Sequence, residues 1–247
     1  MSKSAVRIRP GLVAIYGSSF DTASHNHHSL QLVWCKNDSP SKLNCSLISG
    51  ATVIDSNVEH QLELSEGWVL LIEPKSNLGL ELSSKLAGEP IRSFPVSNYI
   101  STESSTQTDD ISQILASLFN ELELTTQFLL SNEISVKDRR IRQLIEELNK
   151  CIHSDCVKPA SWRASEVANQ LALSESRFLH LFSEELGITW RSYLLWRRMM
   201  CAIQALVNNQ SATEAAHLAG FSDSAHLSRT FRNNFGMSIR QARSFFK

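Results

Sequence analysis

No run of about 18 consecutive apolar residues occurs in the 247-residue sequence, so no membrane-spanning helix is expected. The basic opening, MSKSAVRIRPG, is not followed by an apolar stretch, so it does not read as a secretory signal. Cysteine is sparse: Cys35, Cys45, Cys151, Cys156 and Cys201 are scattered and odd in number. That pattern excludes a disulfide framework, and the lack of CxxC spacing argues against a thiolate metal site at Cys151 and Cys156. Reduced, inert thiols in a cytoplasmic protein are the expectation. Also missing are a nucleophile–base pairing, a phosphate-binding loop and a paired-carboxylate motif, so no catalytic residues and no cofactor are assigned.

What is present is an uneven distribution of charge. The net charge is only −1. Residues 1–138 hold 9 Lys/Arg against 16 Asp/Glu, a balance of −7, whereas residues 139–247 hold 15 against 9, a balance of +6. With 42% hydrophobic residues, this length suits two domains, each burying its own core. Halves of opposite sign point to different partners, and a basic half suits a phosphate backbone. Charge alone leaves open a second reading, in which the basic half docks on the acidic one.

The first hundred residues carry short alternating runs that predict strands: Leu30–Cys35, Leu43–Ile48, Ala51–Ile54, Gln61–Leu64 and Trp68–Ile72. Turn signals separate them at Asn37-Asp38-Ser39-Pro40, Ser49-Gly50, Asp55-Ser56-Asn57 and Ser65-Glu66-Gly67. Such spacing predicts a small all-β barrel or sandwich over residues 1–100. The polar tract Ser101–Thr108 reads as linker. An amphipathic helix follows, with Ile111, Ile114, Leu115, Leu118, Phe119 and Leu122 on one stripe and Asp109 or Asp110 near its start. That stripe packs on the β domain or pairs with its copy in a homodimer, so residues 101–137 are expected to be linker and candidate dimerisation helix.

From Asp138 onward the pattern is helical. Ile141, Leu144, Ile145, Leu148 and Ile152 keep a 3.6-residue period that Pro159 breaks. A long helix is predicted from Trp190 to Leu206, with Tyr193, Trp196, Met200 and Ile203 inward. The segments flanking it repeat at an offset of 49 residues: Phe178, Phe182, Leu186 and Gly187 match Leu227, Phe231, Phe235 and Gly236. Each has a short helix (Ala164–Gln170, then Thr213–His217), a tight turn and an N-cap before a second helix. Ser174 is the first cap and Ser222 or Asp223 the second, and Gly220 supplies a turn position where positive φ is free of steric penalty. This is the helix-turn-helix pattern, at about 162–186 and 211–235. A major groove about 12 Å wide admits one helix. With Phe178, Phe182, Leu227 and Phe231 inward, Ser176, Leu179 and His180 face outward in the first unit, as do Ser224, Ala225, Ser228 and Arg229 in the second.

The run Ala219–Met237 (AGFSDSAHLSRTFRNNFGM), with Tyr193-Leu194, Arg198 and Ala202 in the central helix, resembles the signature of AraC/XylS-family DNA-binding domains. Where that family usually has Gly-Met-Thr-Pro and later Tyr-Arg, this chain has Ser238-Ile239 and Ala242-Arg243. The resemblance covers residues 138–247. It implies a transcription regulator bound to double-stranded promoter DNA, with RNA polymerase as a partner. It also implies base contacts from the outward residues above, Arg229 reading guanine and Leu179 and Ala225 meeting apolar features such as a thymine methyl. Arg177, Arg191, Arg197, Arg232, Arg240 and Arg243 become candidate phosphate contacts. Arg198 reads as structural, bridging the two units.

His25, His27 and His28 precede Leu30–Cys35, and His60 lies further on. The HxH pair, Gln31 four positions later and a distant His resemble the metal-binding pattern of cupin barrels, a fold often used by the family's sensor domains. Gln31 stands where metal cupins have Glu, and a neutral side chain weakens a divalent-metal site. The expectation is an effector pocket for a small molecule at His25, His27, Gln31, Val33 and His60, with no metal; the reading left open beside it is a set of histidines that hydrogen-bond at a strand edge and hold no ligand. The fold class expected overall is α+β with two domains: a cupin-like β half, a helical linker and an all-α half. The alternative is a metal-dependent cupin enzyme with an accessory DNA-binding domain.

Overall fold

The computed structural model describes residues 5–37, 39–96, 108–125, 134–153 and 163–245, with backbone alone for 108–112 and 151–153. The expectations placed on Cys151, Cys156, Pro159, most of the Ser101–Thr108 tract and the side chains of Asp109, Asp110, Ile111 and Ile152 lie outside the described residues. The chain divides into two compact units, Met1–Ile134 with Arg229–Lys247, and Ser135–Ser228.

The first unit is built on an antiparallel sheet whose strands run β1 (Ala5–Arg9), β2 (Leu12–Asp21), β3 (Leu30–Cys35), β4 (Ser41–Leu43), β5 (Ser46–Ile48), β6 (Ala51–Ile54), β7 (Leu62–Ile72) and β8 (Ile91–Phe94). The strand order is β1-β2-β7-β3-β6-β8, with the β4–β5 hairpin also resting on β7. Alternation gives each strand two faces. One, carrying Tyr16, Leu32, Trp34, Trp68 and Leu70, packs against Leu78, Leu82 and Leu86 of α1 (Asn77–Leu86) and Ile114, Leu115, Leu118 and Phe119 of α2 (Thr108–Glu121). The described part of the α2 stripe is therefore buried on the β domain, the first of the two placements the sequence left open. Burying each such side chain stabilises the unit by about 1.5–3 kcal/mol.

Two strand expectations change. Leu43–Ile48 is a hairpin, because Asn44 (φ 49°) and Cys45 (φ 66°) both take the left-handed region that a tight antiparallel turn requires. Gln61–Leu64 and Trp68–Ile72 are one strand, β7. Its Gly67 lies so close to β3 that a Cβ there would strike the Trp34 carbonyl. The glycine marks close packing there, where the sequence suggested a turn.

Residues Arg229–Lys247, expected with the helical half, group with the sheet. Ala23 donates its N–H to the Gly236 carbonyl at 2.8 Å, and Phe20 stacks on Phe245 with ring centroids 4.0 Å apart.

The second unit is helical: α3 (Arg139–His153), α4 (Ala164–Gln170), α5 (Glu175–Leu186), α6 (Trp190–Val207), α7 (Ala212–Leu218) and the start of α8 (Ser224–Phe235). The first unit closes the chain with the rest of α8, the short α9 (Ile239–Ala242) and a 3-10 turn at Arg243–Phe245. No helix among the described residues is long and apolar enough to cross a membrane.

Candidate nucleic-acid interface and sensor site

The first helix-turn-helix is α4–α5. Ser174 accepts the Arg177 N–H and so caps α5, while Gly187 (φ 69°) ends it. Phe178 and Phe182 are fully buried and form a four-ring cluster with Trp190 and Tyr193 of α6, centroids 5.0–5.9 Å apart. With that row inward, Ser176, Arg177, Leu179 and His180 are exposed. An apolar side chain such as Leu179, 37% exposed, gains nothing from water there, but it suits contact with a base edge.

The second is α7–α8. Ser211 and Glu214 form a reciprocal capping box at the start of α7. Asp223 Oδ1 accepts the His226 N–H at 2.7 Å, so Asp223, of the two candidates, caps α8. Leu227 and Phe231 are buried, while Ala225, Ser228, Arg229 and Arg232 are exposed and Ser224 is half-buried. Ser228 spends its hydroxyl proton on the Ser224 carbonyl at 2.7 Å, leaving only its acceptor lone pairs for a base. The two units are not identical. Residue 172 holds the left-handed turn position in one and residue 220 in the other, 48 apart, yet the caps are 49 apart. The second turn is one residue longer.

Among the candidate phosphate contacts, Arg191, Arg232 and Arg240 are exposed and Arg243 is half-buried. Arg197 is corrected: it is 3% exposed, and its guanidinium donates to Asn149 Oδ1 at 2.7 Å and to the Leu148 carbonyl. These acceptors on α3 hold it inside, so it ties α3 to α6. Arg198 donates to the carbonyls of Ala219 and Gly220, fixing the second turn to the central helix. Sequence reasoning passed over Arg163, whose side chain is 84% exposed beside α4. A cation directly before the first helix was the available signal.

In the sheet unit the structure brings His25, His27, Gln31 and His60 together. His25 and His60 form an isolated antiparallel bridge outside the strands through reciprocal N–H to carbonyl bonds of 3.0 and 2.9 Å. His27 Nε2 lies 3.0 Å from Gln31 Oε1. Val33, fully buried, shares the β3 face of Gln31. Burial is the main cause that lowers the pKa of His25 to about 4 and of His27 to about 3, with the neighbouring imidazoles adding to it. His60 moves the same way. His28 is lowered to about 4 by burial but does not join the cluster.

Residues 167–244 match the helix-turn-helix domain family, a span that includes both α5 and α8. This region is an AraC-type DNA-binding domain. The probable transcriptional regulator LumQ of Photobacterium leiognathi is 25% identical over 203 residues, 78% of this chain and 79% of its own. The virulence regulon transcriptional activator VirF of Yersinia enterocolitica is 30% identical over 99 residues, 40% of this chain and 36% of its own. The transcriptional activator RhaS of Escherichia coli is 38% identical over 90 residues, 35% of this chain and 32% of its own. The chain thus spans about a third of the length of the last two. Apo ToxT from Vibrio cholerae has the same two-domain fold, with a TM-score of 0.56 at 14% identity over 100% of both chains. With an AraC-type domain beside a sheet-rich domain, the chain is a DNA-binding transcription regulator.

Proposed function

We propose that the AraC-type domain reads adjacent major-groove segments of promoter DNA with α5 and α8. The observation that carries this reading is the pair of capped helices, each with a buried aromatic or aliphatic row opposite an exposed row. Ser176, Leu179 and His180 would face bases from α5; Ser224, Ala225, Ser228 and Arg229 would do so from α8. Arg163, Arg177, Arg191, Arg232, Arg240 and Arg243 are assigned to phosphates, which position the domain without reading sequence. The sheet domain regulates this binding, through a ligand held at His25, His27, Gln31, Val33 and His60 or through association of copies. RNA polymerase and a cytoplasmic setting follow from the same reading, and no catalytic step belongs to it.

Affinity of the full chain for duplex DNA, measured from about 50 to 200 mM salt, tests it. Each neutralised phosphate releases counterions, so the logarithm of affinity falls by about 0.9 per contact for each tenfold rise in salt. A folded protein whose weak DNA affinity ignores salt would contradict the proposal.

A further inference from the structure

His25, His27 and His60 are buried, and one ring nitrogen of each lies within 4.8 Å of those of the other two. A backbone carbonyl stands beside Nδ1 of every ring: Ala23 at 2.9 Å from His25, Ser29 at 3.0 Å from His27 and Val58 at 2.9 Å from His60. A carbonyl oxygen only accepts, so at His25 and His60 it holds the proton on Nδ1 and leaves the lone pair on Nε2. His27 Nε2 faces the Gln31 amide oxygen at 3.0 Å and its Nδ1 also meets Ser29 Oγ at 2.9 Å, so this ring donates from Nε2 and must move its proton to Nδ1, toward the Ser29 carbonyl, when Nε2 takes a ligand. This outer arrangement orients imidazoles that bind metals. His60 is 1% exposed, and among the described residues its buried Nε2 has no hydrogen-bond partner, a cost that a ligand would relieve.

We propose that His25, His27 and His60 bind a borderline divalent transition-metal ion of the Zn²⁺ class through Nε2, and that this ion is the regulator's effector. Three imidazoles without a carboxylate favour such ions over Mg²⁺ or Ca²⁺. Zn–N bonds of about 2.0–2.1 Å put tetrahedral ligands about 3.4 Å apart, so the ring nitrogens close in by at most about 1.4 Å on binding. The Gln31 amide, beside His27 Nε2, can offer its oxygen as a fourth ligand. A neutral residue 31 does not by itself exclude an ion, because three imidazoles remain as ligands and the Gln31 oxygen can stand where a carboxylate is missing.

The effector half rests on the DNA-binding reading, and one residue links the two. Ala23 accepts from His25 through its carbonyl and donates its N–H to Gly236, the residue that ends α8. Phe235 also lies near the cluster, its ring centroid 6.3 Å from that of His27. Movement of His25 onto an ion is thus passed to the end of the second recognition helix.

The test uses tag-free full-length protein stripped with chelator, titrated with Co²⁺ and then Zn²⁺, with DNA affinity measured in both states. One equivalent of Co²⁺ with visible absorption bands, displaced by Zn²⁺, is expected. His60→Asn and His27→Asn should each weaken binding more than tenfold, and loading should change DNA affinity at least threefold. Melting of the stripped variants checks that they fold, and the wild-type titration stands without them. No stoichiometric binding by wild type, or unchanged binding by folded variants, overturns the site. Binding without a change in DNA affinity overturns the effector role. Loss of salt-sensitive DNA affinity in both states points instead to failure of the DNA-binding reading.

Discussion

The guanidinium carbon of Arg198 sits 4.2 Å from the ring centroid of Phe221, while its nitrogens donate to the two carbonyls just before that ring. One side chain of the central helix thereby fixes the turn that aims α8. Arg198→Ala removes charge-assisted bonds to half-buried carbonyls and is expected to cost about 1.5–3 kcal/mol of stability. DNA affinity should fall as well, although Arg198 is not assigned to a DNA contact. Arg198→Lys keeps the charge without the planar fork and should restore only part of the loss in urea denaturation.

The two turns make the same demand on the backbone but meet it with different residues. Gly220 has φ of 74° and Ala172 has φ of 53°. A side chain in this region costs about 1–2 kcal/mol, so Gly220→Ala should destabilise by about 1 kcal/mol or more. Ala172→Gly relieves the same strain but frees the unfolded chain, leaving a net gain of about 0.5 kcal/mol. Thermal denaturation of the two variants should move in opposite directions.

Protonation should loosen the sheet domain when metal is withheld. The folded pKa values of His25 and His27, about 4 and about 3, lie below the ordinary 6.5. The unfolded chain then binds more protons between those values, so stability is full above pH 6.5 and falls as pH drops toward 4. In chelator, the urea midpoint at pH 5 should lie below that at pH 7.5. A midpoint unchanged between the two would mean the rings titrate normally in the fold.

Elements with a clean period and local punctuation were legible in the sequence. Leu30–Cys35, Ala51–Ile54 and Ala164–Gln170 form as read, and the long helix differs by one residue at its end. β1 and β2 were not seen: Val6-Arg7-Ile8-Arg9 does alternate, but over too few residues in an opening taken only for its charge, and Gly17, Ser18 and Ser19 read as breakers in the other. The outward rows of α5 and α8 followed from helical spacing. Arg197 could not be told from its exposed neighbours, since Asn149 and Leu148, distant in sequence, decide its burial. The meeting of Ala23 with Gly236 joins opposite ends of the chain and leaves no local signal.

Two recognition helices that read sequence should enrich a preferred site from a random duplex pool, with two informative blocks about 10 base pairs apart. On that site, Arg229→Ala tests base readout most directly. If Arg229 pairs with guanine, the variant should lose about 1–3 kcal/mol on the selected site and much less on scrambled DNA. Arg232 lies about 60° further around the helix and is assigned to a phosphate. Arg232→Ala should therefore weaken binding to both DNAs alike and reduce the salt slope by about one. Selective loss for Arg229→Ala is the predicted result. Equal losses on both DNAs, or a pool that shows no enrichment, would contradict sequence reading by α8.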